Sequence, residues 1–322
     1  MALSRRSLLT AAALLALAAG PAAAQRYPTK PIRLVVNFAA GGTSDVMARA
    51  LAKPLSTALG QQIIIENKTG ALGAIGAAEV ARAAPDGYTL LLTTQGSLTE
   101  IPVLSPQTPY DPRTAFAPVT MIGESPLVLF AHPSFPASDM KSFVAYAKSQ
   151  PQGVDLSVTG SSVKLGAYAL AGAAGIRISQ IPYAGQGPAL TAALGGHTPL
   201  ALNTSSTTLM QHVQAGRLKL LGVGTPGPYK LLPGVAPIAE TLPGYTASAW
   251  WGVFAPAGTP PDVVDRLYQA FKRALAEPGI DELFVANGVS QVTTTPAELG
   301  AIVAKGIEQT RALVKQHHIP QE

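Results

Sequence analysis

Short apolar runs alternate with amphipathic segments along the first third of the chain. The apolar runs predict three strands, over residues 32–38, 62–66 and 88–93. Apolar residues at helical spacing predict a helix over 44–59, and an Ala-rich stretch predicts a shorter helix over 74–84. A β-α-β-α-β order favours a parallel sheet with helices on both faces, so the pattern predicts an α/β fold.

The same alternation resumes beyond a Pro- and Gly-rich connection at residues 105–118. Further strands are predicted over 119–131, 155–158, 180–182, 200–202, 219–223 and 246–254. Further helices are predicted over 141–148, 165–174, 188–194, 261–276, 280–286 and 296–316. Because 322 residues exceed one typical domain, we expect two lobes, each a mainly parallel sheet flanked by helices. The expected lobes are residues 25–124 plus 250–322, and residues 125–249.

Residues 1–24 have the organisation of an export signal. Arg5 and Arg6 precede an Ala- and Leu-rich segment, and Ala22-Ala23-Ala24 supplies an A-x-A cleavage site, so cleavage is expected near Ala24. Two routes stay open, because the same residues fit both a twin-arginine signal and an ordinary Sec signal that carries two arginines. On either route the mature protein leaves the cytoplasm. Beyond the signal, no segment offers the about 18 uncharged apolar residues of a membrane span.

Composition narrows the classes of function. The formal net charge is +5, but the Lys and Arg residues form no dense basic run, so we expect no nucleic-acid partner. The absence of cysteine excludes disulfides, thiolate metal sites and Cys nucleophiles. The five histidines are scattered, with no H-E-x-x-H pattern, and we expect no metal and no cofactor.

The loop after the first strand is a candidate anion site. Gly41 and Gly42 allow backbone N–H groups to converge, and a helix that begins at Thr43 or Ser44 presents its N-terminus there. The alternative is an ordinary strand-to-helix turn, which every α/β protein needs. Asp45 is awkward beside an anion, so we expect it to cap its own helix or to bind a ligand amine or hydroxyl.

Motifs for catalysis are weak. The Gly-rich stretch 66–73 matches neither G-x-G-x-x-G nor G-x-x-x-x-G-K-[ST], which disfavours a nucleotide. The segment 161–164 matches S-x-x-K and the segment 68–70 matches K-T-G, but in the reverse of the serine β-lactamase order and without S-D-N. We therefore expect no catalytic residue, with a secreted serine hydrolase as an alternative.

The order of several short motifs resembles one family over residues 27–319: the periplasmic receptors of tripartite tricarboxylate transporters, or Bug receptors. The matching motifs are Tyr27-Pro28-x-Lys30-Pro31-Ile32-Arg33, Phe38-x-x-Gly41-Gly42-x-x-Asp45, Glu66-Asn67-x-x-Gly70-Ala71-x-Gly73, Pro85-Asp86-Gly87-Tyr88, Tyr110-Asp111-Pro112, Pro182-Tyr183-x-Gly185-x-Gly187-Pro188, Pro243-Gly244-Tyr245 and Phe254-Ala255-Pro256-Ala257-Gly258. Each motif is short, and their order over nearly the whole chain makes the resemblance specific.

The resemblance implies a two-lobed, type II periplasmic binding protein whose lobes close on a small carboxylate. Members take dicarboxylates, tricarboxylates, acidic amino acids or aromatic acids. The implied partner is a membrane permease, with presentation to a sensor kinase as the alternative, and we expect a monomer in the periplasm. The implied ligand-binding residues are Phe38, Ala39, Gly41, Gly42, Thr43, Ser44, Asp45, Gly96, Ser97, Gly160, Ser161, Ser162, Tyr183, Ala184, Gly185 and Asn203.

The sequence departs from the family pattern at positions near the implied site. The departures are Asn37 for Pro, Thr69, Leu72 and Ala74 for Pro, Gly and Asn, Ile101 for Asn, Lys164 for His, and Asn203 for Asp. Lys164 and Asn203 make the cleft less negative if they face it, and Leu72 makes its mouth more apolar. These changes favour an anion with an apolar body, aromatic acids included, over an amino acid.

Overall fold

The structure is a computed structural model and describes residues 27–321. The predicted export signal, residues 1–24, lies outside the described residues. The strands are β1 Ile32–Val36, β2 Ile63–Asn67, β3 Thr89–Thr94, β4 Phe116–Ala131, β5 Val154–Val158, β6 Ile178–Pro182, β7 Leu200–Thr204, β8 Lys219–Val223, β9 Ser248–Pro256 and β10 Ser290–Gln291.

The helices alternate with these strands. They are α1 Thr43–Leu59, α2 Ala74–Ala81, α3 Ile101–Leu104, α4 Met140–Lys148, α5 Gly160–Ala174, α6 Gln186–Leu194, α7 Thr207–Gln214, α8 Ile238–Thr241, α9 Pro261–Leu275, α10 Ile280–Ala286 and α11 Pro296–His317. A 3₁₀ turn at Ala71–Gly73 and a π-helical turn at Gly96–Glu100 complete the list. Between residues 27 and 321, no helix is both long and apolar enough to cross a bilayer.

The strands follow the order β2-β1-β3-β9-β4-β7-β5-β6, with β8 and β10 also paired to β4. The pairs β1–β2, β1–β3, β5–β6 and β5–β7 are parallel, as the alternation of strands and helices predicts. The sheet is mixed, because β4 and β9 run antiparallel to their neighbours in its middle. The predicted α/β fold class is confirmed.

Strand β4 joins two groups of strands. Its first part, through Pro126, pairs with β9 beside β1, β2 and β3, whereas its last part, from Leu127, pairs with β7 and β8. The chain returns at Ala247, which accepts from Leu127 N at 2.8 Å and donates to Gly224 O at 2.8 Å. We call the β1–β3 and β9 side the first group, and the β5–β8 side the second group. The two lobes with the expected boundaries stay a prediction.

Helices α3 and α8, of four residues each, are not among the predicted helices, and α5 and α7 also differ from the sequence expectation. Helix α5 begins at Gly160 instead of residue 165, because its first turn carries Ser161 and Ser162, polar residues that favour helix starts over helix interiors. Helix α7 is not among the predicted helices, because its three apolar residues, Leu209, Met210 and Val213, are too few to establish a helical period. Ser206 caps it by accepting from Leu209 N at 3.2 Å.

Candidate functional site

The loop between β1 and α1 is tied together by Asp45. This buried carboxylate accepts from Gly41 N at 2.9 Å, from Arg49 Nε at 2.9 Å and from Asn67 Nδ2 at 3.0 Å. The Arg49 guanidinium holds the pKa of Asp45 below its ordinary value, although burial opposes the shift. Asp45 does not cap its own helix as expected, because no side chain caps the N-cap residue Gly42, and Asp45 binds Gly41 N in the preceding loop instead. Its contact with a ligand amine or hydroxyl stays a prediction.

The first turn of α1 leaves backbone N–H groups available. The N–H groups of Thr43 and Ser44 lie too close to the helix start to have an intrahelical acceptor. The Ser44 hydroxyl is used internally, because it accepts from Trp251 Nε1 at 3.0 Å. An anion at this loop would therefore meet backbone groups more than side chains.

A second loop, residues 70–73, is held from beneath by buried polar side chains. Asn37 Nδ2 donates to Gly73 O at 2.9 Å and to Ser97 Oγ at 3.0 Å. Ser97 Oγ donates in turn to Leu72 O at 3.3 Å. A Cβ atom on Gly73 would lie 2.5 Å from both Asn37 Nδ2 and Ser97 Oγ, so this position requires glycine. Ser97, a predicted site residue, thus supports the loop.

The two groups of strands touch where the π-helical turn meets the start of α5. Ser162 Oγ donates to Glu100 Oε2 at 2.9 Å, and Gln95 Nε2 donates to Glu100 Oε1 at 2.9 Å. Burial raises the pKa of Glu100, although hydrogen bonds from two serines and Gln95 oppose the shift. A Cβ atom on Gly96 would lie 2.9 Å from Ser161 Oγ, so the approach is close.

A cavity of about 450 Å³ lies between the two groups. The first group contributes apolar residues to its wall: Ala71, Leu72, Ala74, Ile101 and Leu104, followed by the loop 105–109. The second group contributes Val158, Gly160, Ser161, Lys164, Pro182 and Tyr183. Lys164 is the charged residue among the described lining residues, and it forms no ion pair within residues 27–321.

Three of the predicted site residues line this cavity: Gly160, Ser161 and Tyr183. The Tyr183 hydroxyl is 2.7 Å from Thr198 Oγ1, which fixes the side chain at the end of β6. Ser161 and Lys164 are three residues apart on α5, a spacing that places them on one helix face. The cavity thus combines a helix start, a hydroxyl group and an ammonium group with an apolar opposite wall.

The remaining predicted residues lie outside the lining. Asn203 is buried in β7, where its Oδ1 accepts from Thr204 N at 2.9 Å, and Ser162 binds Glu100. The other residues outside the lining are Phe38, Ala39, Gly41, Gly42, Thr43, Ser44, Asp45, Gly96, Ser97, Ala184 and Gly185. Ser44, Asp45, Gly96 and Ser97 are buried. Their contact with a ligand stays a prediction.

The predicted site set omitted three notable residues, Leu72, Lys164 and Glu100. The S-x-x-K spacing could have indicated Lys164, since it places a cation one turn after a helix start. Glu100 carries a weaker signal: it is a lone carboxylate in the apolar and hydroxyl-rich stretch 96–104. Within the part of the chain that the structure describes, no cluster of three His, Asp or Glu residues could hold a metal ion.

Comparisons with known proteins agree with this architecture. The profile of the tripartite tricarboxylate transporter family receptor matches residues 47–319. BugT of Bordetella pertussis is 34% identical over 302 residues, which cover 92% of this chain and 92% of BugT.

Two solved structures are similar and hold dicarboxylates. MatC from Rhodopseudomonas palustris with bound malate has a TM-score of 0.74 and 30% identity, covering 89% of this chain and 100% of MatC. The R. palustris protein Rpa4515 with adipate has a TM-score of 0.79 and 29% identity, covering 91% of this chain and 99% of that protein. The shared profile, the similarity to BugT and the shared fold show that this chain belongs to the family of tripartite tricarboxylate transporter receptors.

Proposed function

We propose that this chain is a periplasmic solute-binding receptor that captures a small carboxylate in the cavity between its two groups of strands. The observation that carries the proposal is the cavity wall formed by the start of α5, Ser161 and Lys164. Unpaired N–H groups and the helix dipole favour an anion at a helix start. An ammonium group adds a charge-assisted hydrogen bond to a carboxylate.

The relatives support the same ligand class. The MatC structure contains malate and the Rpa4515 structure contains adipate, and both are dicarboxylates. Structures of similar proteins are described as a periplasmic transporter and as the periplasmic binding protein BugD. These descriptions support a periplasmic location, and the family description supports a tripartite tricarboxylate transporter permease as the partner.

Capture without chemistry fits the cavity better than hydrolysis. In the S-x-x-K pattern the lysine acts on the serine hydroxyl, and no hydrogen bond joins Ser161 Oγ to Lys164 Nζ among the described residues. The carboxylate that the two serines approach, Glu100, is bound by Ser162 and Gln95. Lys68, of the K-T-G segment, is paired instead with Glu79 at 3.7 Å. A serine hydrolase would show turnover that Ser161→Ala abolishes, and we expect no turnover.

Ligand binding is coupled to closure of the two lobes, residues 25–124 plus 250–322 and residues 125–249. A carboxylate that contacts both walls of the cavity stabilises the arrangement in which the walls are close, through its differential contacts with the two states. The crossings at Leu127 and Ala247 are the connections about which the lobes would turn. The closed form is then the form that the permease recognises.

A calorimetric titration of refolded protein tests the proposal, because refolding removes any ligand carried through purification. The panel contains malate, adipate, phenylacetate and glutamate, with glucose as an uncharged control. We expect at least one carboxylate to bind in the titration and, in a separate thermal unfolding measurement, to raise the melting temperature by mass action. Glucose should do neither. If no carboxylate in the panel binds, the proposal is wrong.

A further inference from the structure

The loop 70–73 has an unusual backbone. Four consecutive residues have positive φ: Gly70 at 127°, Ala71 at 46°, Leu72 at 52° and Gly73 at 96°. Glycine adopts such angles without steric cost, whereas an L-residue with a side chain does so at a cost in conformational energy. The loop is held in this shape by the bonds from Asn37 and Ser97 to its carbonyl groups.

Burial of the Leu72 side chain does not offset the cost of this backbone conformation. Its side chain is 63% exposed, while most other leucines of the described chain are buried. An exposed leucine in the left-handed region has neither the conformational freedom of glycine nor the burial that ordinarily stabilises leucine. Leu72 also lines the cavity that contains Ser161 and Lys164 in its opposite wall.

We propose that Leu72 determines ligand specificity by packing against the apolar body of a carboxylate whose anionic group is held near Ser161 and Lys164. Ile101, Leu104 and Val158 extend the apolar lining around it. A carboxylate with several methylene groups or a ring covers the exposed face of Leu72, whereas a short hydroxylated acid does not. The inference rests on the proposed function and names the ligands that the site prefers.

The experiment compares adipate with malate, two dianions that differ in the apolar length between their carboxylates. In calorimetric titrations, wild type is expected to bind adipate more tightly than malate. Leu72→Gly is expected to weaken adipate binding about tenfold, the effect of losing one buried leucine contact, and to change malate binding less than about twofold. Leu72→Met keeps an apolar side chain and should retain the preference.

Two controls separate specificity from damage to the loop. Thr69→Gly adds a glycine directly before this loop, at an exposed position outside the cavity lining, and should leave both affinities unchanged. Without ligand, Leu72→Gly should melt no lower than wild type, because glycine relieves the left-handed backbone. A fall of several degrees would show that Leu72 supports the fold, and would overturn the inference.

The outcomes also distinguish this inference from the proposed function. If wild type binds neither these acids nor the rest of the panel, the proposed function fails and Leu72 loses its role with it. If wild type binds carboxylates but the adipate-to-malate ratio is the same in Leu72→Gly, only the inference about Leu72 is wrong. A collapse of that ratio in Leu72→Gly, with its retention in Leu72→Met, supports it.

Discussion

Several polar side chains of the predicted site are bound to the protein itself. Ser44 accepts from the Trp251 indole, Asp45 accepts three hydrogen bonds, and Asn203 caps the end of its own strand. Removing such a group would leave buried partners without hydrogen bonds, at a cost of about 1–3 kcal/mol each. These residues therefore fix their local backbone, whereas Lys164, the charged residue of the cavity lining, forms no ion pair within residues 27–321.

The prediction at the residue scale concerns the charge of Lys164. Lys164→Gln removes the ammonium group but keeps a polar side chain of similar reach, so the affinity for each carboxylate that binds should fall about tenfold or more. Titration calorimetry measures the change. Lys53→Gln, at an exposed position in the middle of α1, makes the same change in net charge and should leave affinity unaltered. Equal losses in the two variants would mean that the effect is one of overall charge.

At the scale of elements, the first turn of α5 serves two purposes. Ser162 reaches the first group of strands through Glu100, while Ser161 and Lys164 line the cavity. A rotation or shift of this helix start would therefore change the contact between the groups and the cavity lining together. Because the turn is short and its residues are polar, apolar periodicity could not locate it, and the structure extends the helix back to Gly160.

The contact at Glu100 predicts a dependence of stability on pH. Burial raises the pKa of Glu100 above its ordinary value of 4.5, so the folded protein holds this proton more tightly than the unfolded chain. Its contribution to stability is then fully present below pH 4.5 and is lost as the pH rises through the raised pKa. A carboxylate with a lowered pKa, such as Asp45, gives the opposite pH dependence. Its contribution to the stability of the folded protein is lost as the pH falls.

Glu100→Gln isolates the contribution of Glu100 protonation to stability. The variant is uncharged at every pH, and its amide can accept from Gln95 and donate to the Ser162 hydroxyl, so the contact is preserved. We expect Glu100→Gln to melt at a higher temperature than wild type near neutral pH, with the difference shrinking as the pH falls. Thermal unfolding of both proteins from about pH 4 to pH 8 measures it. A difference in melting temperature that does not vary with pH would contradict the assignment.

At the scale of the whole molecule, strand β4 connects the two groups of strands. This strand of 16 residues belongs to both groups, and the second crossing at Ala247 lies beside it through the bond to Leu127. Two adjacent extended crossings permit bending, because few backbone angles must change. The Ser162–Glu100 contact lies across the same division, and the proposed bending would therefore change it.

Closure predicts a change in overall dimensions. Adding adipate or whichever panel acid binds most tightly should decrease the radius of gyration measured by small-angle X-ray scattering, because the ligand favours the state in which both cavity walls contact it. Glucose at the same concentration is the control and should leave the radius unchanged. A saturated protein with an unaltered scattering curve would show that binding occurs without hinge bending.

The sequence determined the local elements and the family. The period of apolar residues is a local property, so it located β1, α1 and α9 within a few residues, and the order of short motifs identified the receptor family. It also marked Leu72 and Lys164 as departures, because a residue type can be compared with a pattern without knowledge of its surroundings.

Only the tertiary structure decided which of these residues meet. Ser162 and Glu100 are 62 positions apart, and their contact depends on how β4 and the Ala247 crossing place one group of strands against the other. The left-handed backbone of Leu72 is likewise held by hydrogen bonds from Asn37, which follows β1, and from Ser97, which follows β3. Local preferences alone would not select that conformation for leucine. Its conformational cost is offset by hydrogen bonds from residues distant in the sequence, and not by interactions with sequence neighbours.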